Sequence, residues 1–185
     1  MPKRAHFLEQ LLSILTPQIE ESDGLVDIII ESDDGGITIG EKRNLLVSKC
    51  QSEYSSFIDD DDLVPHNYVS SHLMKLVSNP DGVGFKGIMT VDGKKLGYFY
   101  HDDKYDTWKG DANTGFIRTL NHWNVVRNEY RKIIPFPCIN FAEDHQQSMQ
   151  MKEAGLIKKS EYIDEIMYFY QFRNGVSSTS AKSNK

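Results

Sequence analysis

The pair Asp92-Gly93 gives this chain its first fixed point. It separates two runs of strand-forming residues, Phe85–Val91 and Lys94–His101. A two-residue Asp-Gly loop favours the type I′ turn, whose twist matches that of a β-hairpin. The fold must therefore contain antiparallel strands, and the remaining elements must pack on them.

Helical periodicity supplies most of those elements. Leu8, Leu11, Leu12, Leu15 and Ile19 share one face, predicting a helix from about Arg4 to Thr16 that Pro17 closes. Leu25–Ile30 is rich in β-branched residues and reads as a strand, followed by the turn Asp33–Gly36 and a return strand from Ile37. Asn44–Cys50 would continue that sheet, and Gln51–Asp62 reads as an exposed acidic loop. Pro65 suits the first turn of a helix burying Val69, Leu73, Leu76 and Val77. Beyond the hairpin, Phe116, Leu120, Trp123 and Tyr130 place one long helix up to about Ile134, where Pro135 and Pro137 stop it. A helix over Phe141–Ala154 ends at Gly155. The period over Glu161–Arg173 favours a further helix, although the aromatics of 166–172 also fit a strand. Gly175–Lys185 has the composition of a disordered tail. The reading is α+β: a single domain over 1–174, with a small antiparallel sheet and hairpins packed against four to five helices.

Charge narrows the range of functions. The chain has 185 residues and a net charge of −6. Residues 1–79 hold 14 Asp and Glu against 6 Lys and Arg, whereas residues 80–185 hold 13 against 15. Nucleic-acid binders present a basic face, so this balance argues against nucleic acid as a partner. No run approaches the roughly 20 apolar residues of a membrane span, which argues against membrane insertion. Cys50 and Cys138 form no bridging or metal-binding pattern, which suits a reducing, cytoplasmic setting.

Candidate chemistry is sparse. Asp81, Asp92 and Lys94 resemble the two acids and lysine of a metal-dependent nuclease or hydrolase, but Asp92-Gly93 is already explained as a turn. His101, Asp102, Asp103, Asp106 and His122 are dense in ligand types without a ligand-pair spacing. Asp59, Asp60, Asp61 and Asp62 lack the glycine and alternation of a calcium loop. Gly35-Gly36 and Gly82-Val83-Gly84 open no helix and so form no phosphate loop. Sequence alone thus assigns no catalytic residue, no metal site and no cofactor.

What remains suits binding. Tyr98, Tyr100 and Trp108 crowd the hairpin and the loop after it, and Tyr168, Phe169 and Phe172 crowd the last element. Aromatics in excess of one buried stripe are candidate interface anchors. Together with the acids Asp59–Asp62 they form the expected partner-binding set. The amphipathic opening segment Phe7–Ile19, the strand Leu25–Ile30, the acidic first half and the late hairpin together resemble the small acidic chaperone and adaptor proteins of bacterial type III and type IV secretion systems. That resemblance implies a non-catalytic adaptor or chaperone-like protein holding a basic or amphipathic segment of another protein within a larger complex. An immunity or inhibitor protein facing a basic toxin is the alternative within the binding class. The nuclease or hydrolase is the alternative outside it.

Overall fold

A computed structural model describes residues 5–174; the tail expected over 175–185 lies outside them. The hairpin forms as the sequence requires: β2 (Gly82–Val91) and β3 (Lys94–His101) pair antiparallel with Val91 opposite Lys94. Asp92 and Gly93 both take positive φ, 47° and 77°, as a type I′ turn demands.

The strand β7 (Ser160–Phe172) corrects the helix expected there. It runs parallel to β2 along the whole length of that strand. The register accounts for the ambiguous period. Two irregularities, between Phe85 and Lys86 and between Lys86 and Gly87, break strict alternation, so adjacent Met167 and Tyr168 are both buried. Gly87 lets the strands close up, because a Cβ there would lie 2.1 Å from Phe99 Cζ and 2.6 Å from the Tyr168 carbonyl oxygen. The apparent surplus of aromatics is therefore core: Trp123 stacks on Tyr168 at 4.6 Å, within a cluster that includes Phe85 and Phe99.

The long helix expected before Pro135 also gives way. Its place is taken by β5 (Gly115–Arg118), a turn, β6 (Val125–Arg127) and the short α4 (Asn128–Ile133). Asparagine side chains compete with helical hydrogen bonding here. Asn124 Oδ1 accepts from the Asn121 amide at 3.0 Å, and Asn121 Oδ1 accepts from the Trp123 amide at 3.1 Å. With β1 (Tyr54–Ser55) and β4 (Lys109–Asp111), the described residues form a seven-stranded sheet ordered β1-β6-β2-β3-β5-β4. A strand has two edges, so β7 takes one edge of β2 while β3 and β6 share the other.

The helices are α1 (Ala5–Glu20), α2 (Ile39–Lys49), α3 (Tyr68–Leu76), α4 and α5 (Glu143–Glu153). α1 runs one turn past Pro17, where buried Gln18 accepts from the Val69 amide at 3.0 Å and fastens it to α3. α2 replaces the return strand and sheet continuation expected from Ile37, because Thr38 and Glu41 form a reciprocal capping box. The strand expected over Leu25–Ile30 does not form: the segment carries no regular structure and joins no ladder among the described residues. The α+β expectation with four to five helices thus holds, in a sheet that mixes antiparallel and parallel pairs.

Candidate functional site

A cleft of about 1540 Å³ opens beside this sheet, walled by α1, α2, α5 and the segments around 25–33, 54–61 and 140–145. Its polar wall is built around the acidic run. Expected as an exposed loop, that run is instead anchored to β7: Leu63 and Phe169 exchange backbone hydrogen bonds of 3.2 and 2.8 Å. The four aspartates consequently part company. Asp62, 1% exposed, accepts from the Tyr168 hydroxyl at 2.9 Å and the Gln171 amide at 2.7 Å. Burial, reinforced by the charge of Asp59, pushes its carboxyl well above the usual range. Asp59, Asp60 and Asp61 turn to the cleft.

Asp59 belongs to a chain of polar and charged groups that no sequence motif announces. Its Oδ2 lies 3.5 Å from His122 Nε2 and accepts from Trp123 Nε1 at 3.2 Å, while Arg43 approaches Oδ1 at 3.4 Å. On the other side, His122 Nδ1 lies 3.3 Å from Asp144 Oδ2. Burial alone would raise both carboxyls; the His122 imidazole and nearby Arg43 more than reverse this, holding Asp59 and Asp144 below the usual carboxylate range. Both are therefore ionised at neutral pH.

The backbone positions these groups firmly. Arg131, fully buried, donates through Nη2 to the Asn124 carbonyl at 2.9 Å and to the Asn121 and His122 carbonyls at 3.4 Å, clamping the turn that presents His122. Burial without a carboxylate partner draws its guanidinium down to about 9. Asp144 sits in the first turn of α5, preceded by Ala142 at φ 64°. Left-handed backbone at a residue with a Cβ is strained, and such strain gathers at functional sites. Glu143 beside it is buried and accepts from Arg43 Nη1 at 2.6 Å.

The residues expected from sequence divide between this cleft and elsewhere. Trp108, Phe172, Asp59, Asp60 and Asp61 line it. Tyr168 and Asp62 are buried, Tyr100 and Phe169 half-buried, and Tyr98 lies on the hairpin under Lys95 Nζ at 3.6 Å. Asp81 and Asp92 stand just beyond opposite ends of β2, about 35 Å apart at a strand's rise, so they share no site. Asp81 accepts from Tyr130 and Arg127 and from the amides of Lys158 and Lys159. Asp92 accepts from the Asn174 amide. The histidine-aspartate cluster disperses too. His101 is fully buried against Trp123 and bonds Asn124, whereas Asp102 and Asp103 pair with Lys104 and Lys152. Sequence reasoning considered His122 only as a metal ligand beside His101, and it missed Asp144, Arg43 and Arg118. The acids Glu143-Asp144 opening a helix were the available signal, since that end attracts negative charge.

No family model matches the chain, and no curated protein matches it either. Solved structures do. TarS of S. aureus, residues 1–349 in complex with UDP-GlcNAc, matches at TM-score 0.59 and 18% identity, over 87% of this chain and 47% of that one. The same TarS segment in complex with UDP gives 0.55 at 18% identity, over 77% and 42%. The longer TarS structure gives 0.55 at 17% identity, over 77% and 25%.

The fold is shared. The chain spans less than half the length of these TarS structures, and at such identity the likeness is one of fold. It still overturns the secretion-chaperone resemblance and the reading built on it, because the neighbours are structures of TarS, two of them in complex with UDP or UDP-GlcNAc. The resemblance rested on composition and element order, which many acidic α+β chains have in common. The non-catalytic adaptor, the immunity protein and the nuclease or hydrolase readings fall with it. Among the described residues no helix is long and apolar enough to cross a membrane.

Proposed function

We propose that this chain forms the sugar-nucleotide cleft of a glycosyltransferase, taking a UDP-linked sugar and passing the sugar to an acceptor hydroxyl. The observation that carries this is the pair of ionised carboxylates, Asp59 and Asp144, facing one cleft across His122, on a fold shared with TarS in its UDP-GlcNAc complex.

Asp144 is the general base in this reading. It lines the cleft and is ionised at neutral pH, so its oxygens can accept the acceptor's proton, although the depressed carboxyl makes it a weaker base than an ordinary aspartate. As that proton moves to Asp144, the acceptor oxygen bonds to the sugar's anomeric carbon. The bond from that carbon to the diphosphate breaks, and UDP leaves with its electron pair. Arg43 offsets the negative wall against which the diphosphate must sit. Asp60 and Asp61 line the same cleft and are the oxygen donors suited to a divalent cation carried by the diphosphate. One or two carboxylates suffice when phosphates supply further ligands. Among the described residues no three ligand side chains converge into a closed metal cage. A cytoplasmic setting agrees with two cysteines that form no disulfide.

Release of UDP from UDP-GlcNAc tests the assignment. The wild-type chain should release UDP, and Asp144→Asn should slow release by about 100-fold or more while binding UDP within a few-fold of wild type. Undiminished release by Asp144→Asn would remove Asp144 from the chemistry.

A further inference from the structure

The run Asp59–Asp62 is four identical residues, so its own chemistry cannot decide which acid is buried and which face the cleft. Its shape narrows the choice. The Asp62 amide donates to the Asp59 carbonyl at 3.0 Å, closing a tight turn with Asp60 and Asp61 at its two central positions. Those two line the cleft, whereas Asp62 is buried. Something outside the run must therefore select its register.

One hydroxyl lies between the two ends of the turn. Tyr168 Oη accepts from the Asp59 amide at 3.2 Å and donates to Asp62 Oδ2 at 2.9 Å. A phenol has one proton to give and lone pairs to receive. An amide N–H can only donate, so the Asp59 end takes a lone pair and leaves the proton for a carboxylate oxygen. The hydroxyl thus reads an amide at residue 59 and a carboxylate at residue 62. Slipped by one residue, the run would offer it Leu63 in place of that carboxylate.

The hydroxyl is itself firmly held. Tyr168 is fully buried in β7, and its ring stacks on Trp123 at 4.6 Å and 22°. Trp123 Nε1 in turn donates to Asp59 Oδ2 at 3.2 Å. Two further groups of the same segment secure the outgoing side of the turn. The Gln171 amide donates to Asp62 Oδ1, and Arg173 Nη1 to the Asp61 carbonyl, both at 2.7 Å. Being fully buried, Tyr168 acts on the cleft only through the turn.

We propose that Tyr168 is a positioning residue whose hydroxyl fixes the turn that aims Asp60 and Asp61 at a divalent cation carried by the diphosphate. The proposal rests on the sugar-transfer reading above and gives Tyr168 no contact with donor or acceptor. A cation held through one or two carboxylates depends on their placement, because small divalent ions demand near-ideal geometry. UDP without a metal makes no such demand on the turn.

Calorimetric titration of UDP, with and without manganese, into the wild type, Tyr168→Phe and Tyr130→Phe tests it. Tyr130 is the control, since its hydroxyl donates to Asp81 at 2.8 Å away from the cleft walls. Tyr168→Phe keeps the ring and should weaken manganese-dependent UDP binding by about 5-fold or more. Its metal-free UDP affinity should stay within about two-fold of wild type, as should both affinities of Tyr130→Phe. Asp62→Asn serves if Tyr168→Phe fails to fold. Either orientation of its amide sets a donor against the Tyr168 hydroxyl or the Gln171 amide, and it should lower the manganese-dependent affinity in the same direction. An unchanged manganese-dependent affinity in Tyr168→Phe overturns the proposal. So does an equal loss with and without metal, or an equal loss in Tyr130→Phe. Absence of UDP binding to the wild type would instead sink the sugar-transfer reading. Manganese alone, followed by water proton relaxation, would then decide the positioning role, with weaker binding expected in Tyr168→Phe and equal binding overturning it.

Discussion

Arg43 on α2 donates to Glu143 on α5 at 2.6 Å, with the two side chains only 10% and 6% exposed. Glu143 immediately precedes Asp144, so this buried pair sets where the candidate base stands. Removing one partner of such a pair strands the other charge. Glu143→Ala should cost about 3 kcal/mol, read as a lower urea midpoint with an unchanged slope, with Arg43's contact to Asp59 supplying partial compensation. UDP release should fall along with stability. Arg43 packs on Phe57 and Phe136, at 5.8 and 5.5 Å, so Arg43→Met should be better tolerated than Arg43→Ala.

His122 joins Asp59 to Asp144, and its effect has a definite sign. Both carboxyls lie below their ordinary value of 3.8. A carboxyl depressed by folding stabilises the protein above its unfolded pKa, and that stability is lost as pH falls through the folded value. The wild type should therefore keep this contribution at neutral pH and lose it only below about pH 4. The acid limb of UDP release should lie in that same low range. His122→Phe removes the group facing both carboxylates and should move the acid limb upward by about one pH unit or more, measured as a pH–rate profile. An unmoved limb would mean that His122 does not govern these acids.

Arg131 should tolerate no conservative exchange. Its fork reaches the carbonyls of Asn121, His122 and Asn124 from a fully buried position. A lysine cannot span those acceptors with the same geometry. Arg131→Lys should lower stability by about 2–3 kcal/mol and loosen the turn that carries His122. Hydrogen exchange at residues 121–124 should then accelerate more than exchange in β2.

The parts of this structure that sequence makes legible are those decided locally. Asp92-Gly93 specifies its turn, and the leucine stripe of α1 and the apolar face of α3 specify helices, because each period is set within a few residues. β7 escaped because its aromatics fit two periods, and only the parallel edge of β2, far away in the chain, selects the strand. The stretch from Gly115 to Ile133 escaped because Asn121 and Asn124 capture backbone amides that a helix would otherwise use. The site was the least legible part. Asp59 was visible only as one of four consecutive acids, and its separation from buried Asp62 depends on Tyr168 and Gln171 in β7. Asp144 and His122 meet only when α5 docks beside the turn that Arg131 clamps.

Sugar transfer requires this cleft to hold a sugar nucleotide. Calorimetric titration of UDP-GlcNAc into the wild-type chain and into Asp60→Asn and Asp61→Asn variants, with magnesium or manganese present, measures this directly. One saturable site, displaced by UDP and weakened about 10-fold or more in at least one variant, is the expected result. No saturable binding at millimolar UDP-GlcNAc, from a chain shown to be folded, would contradict it.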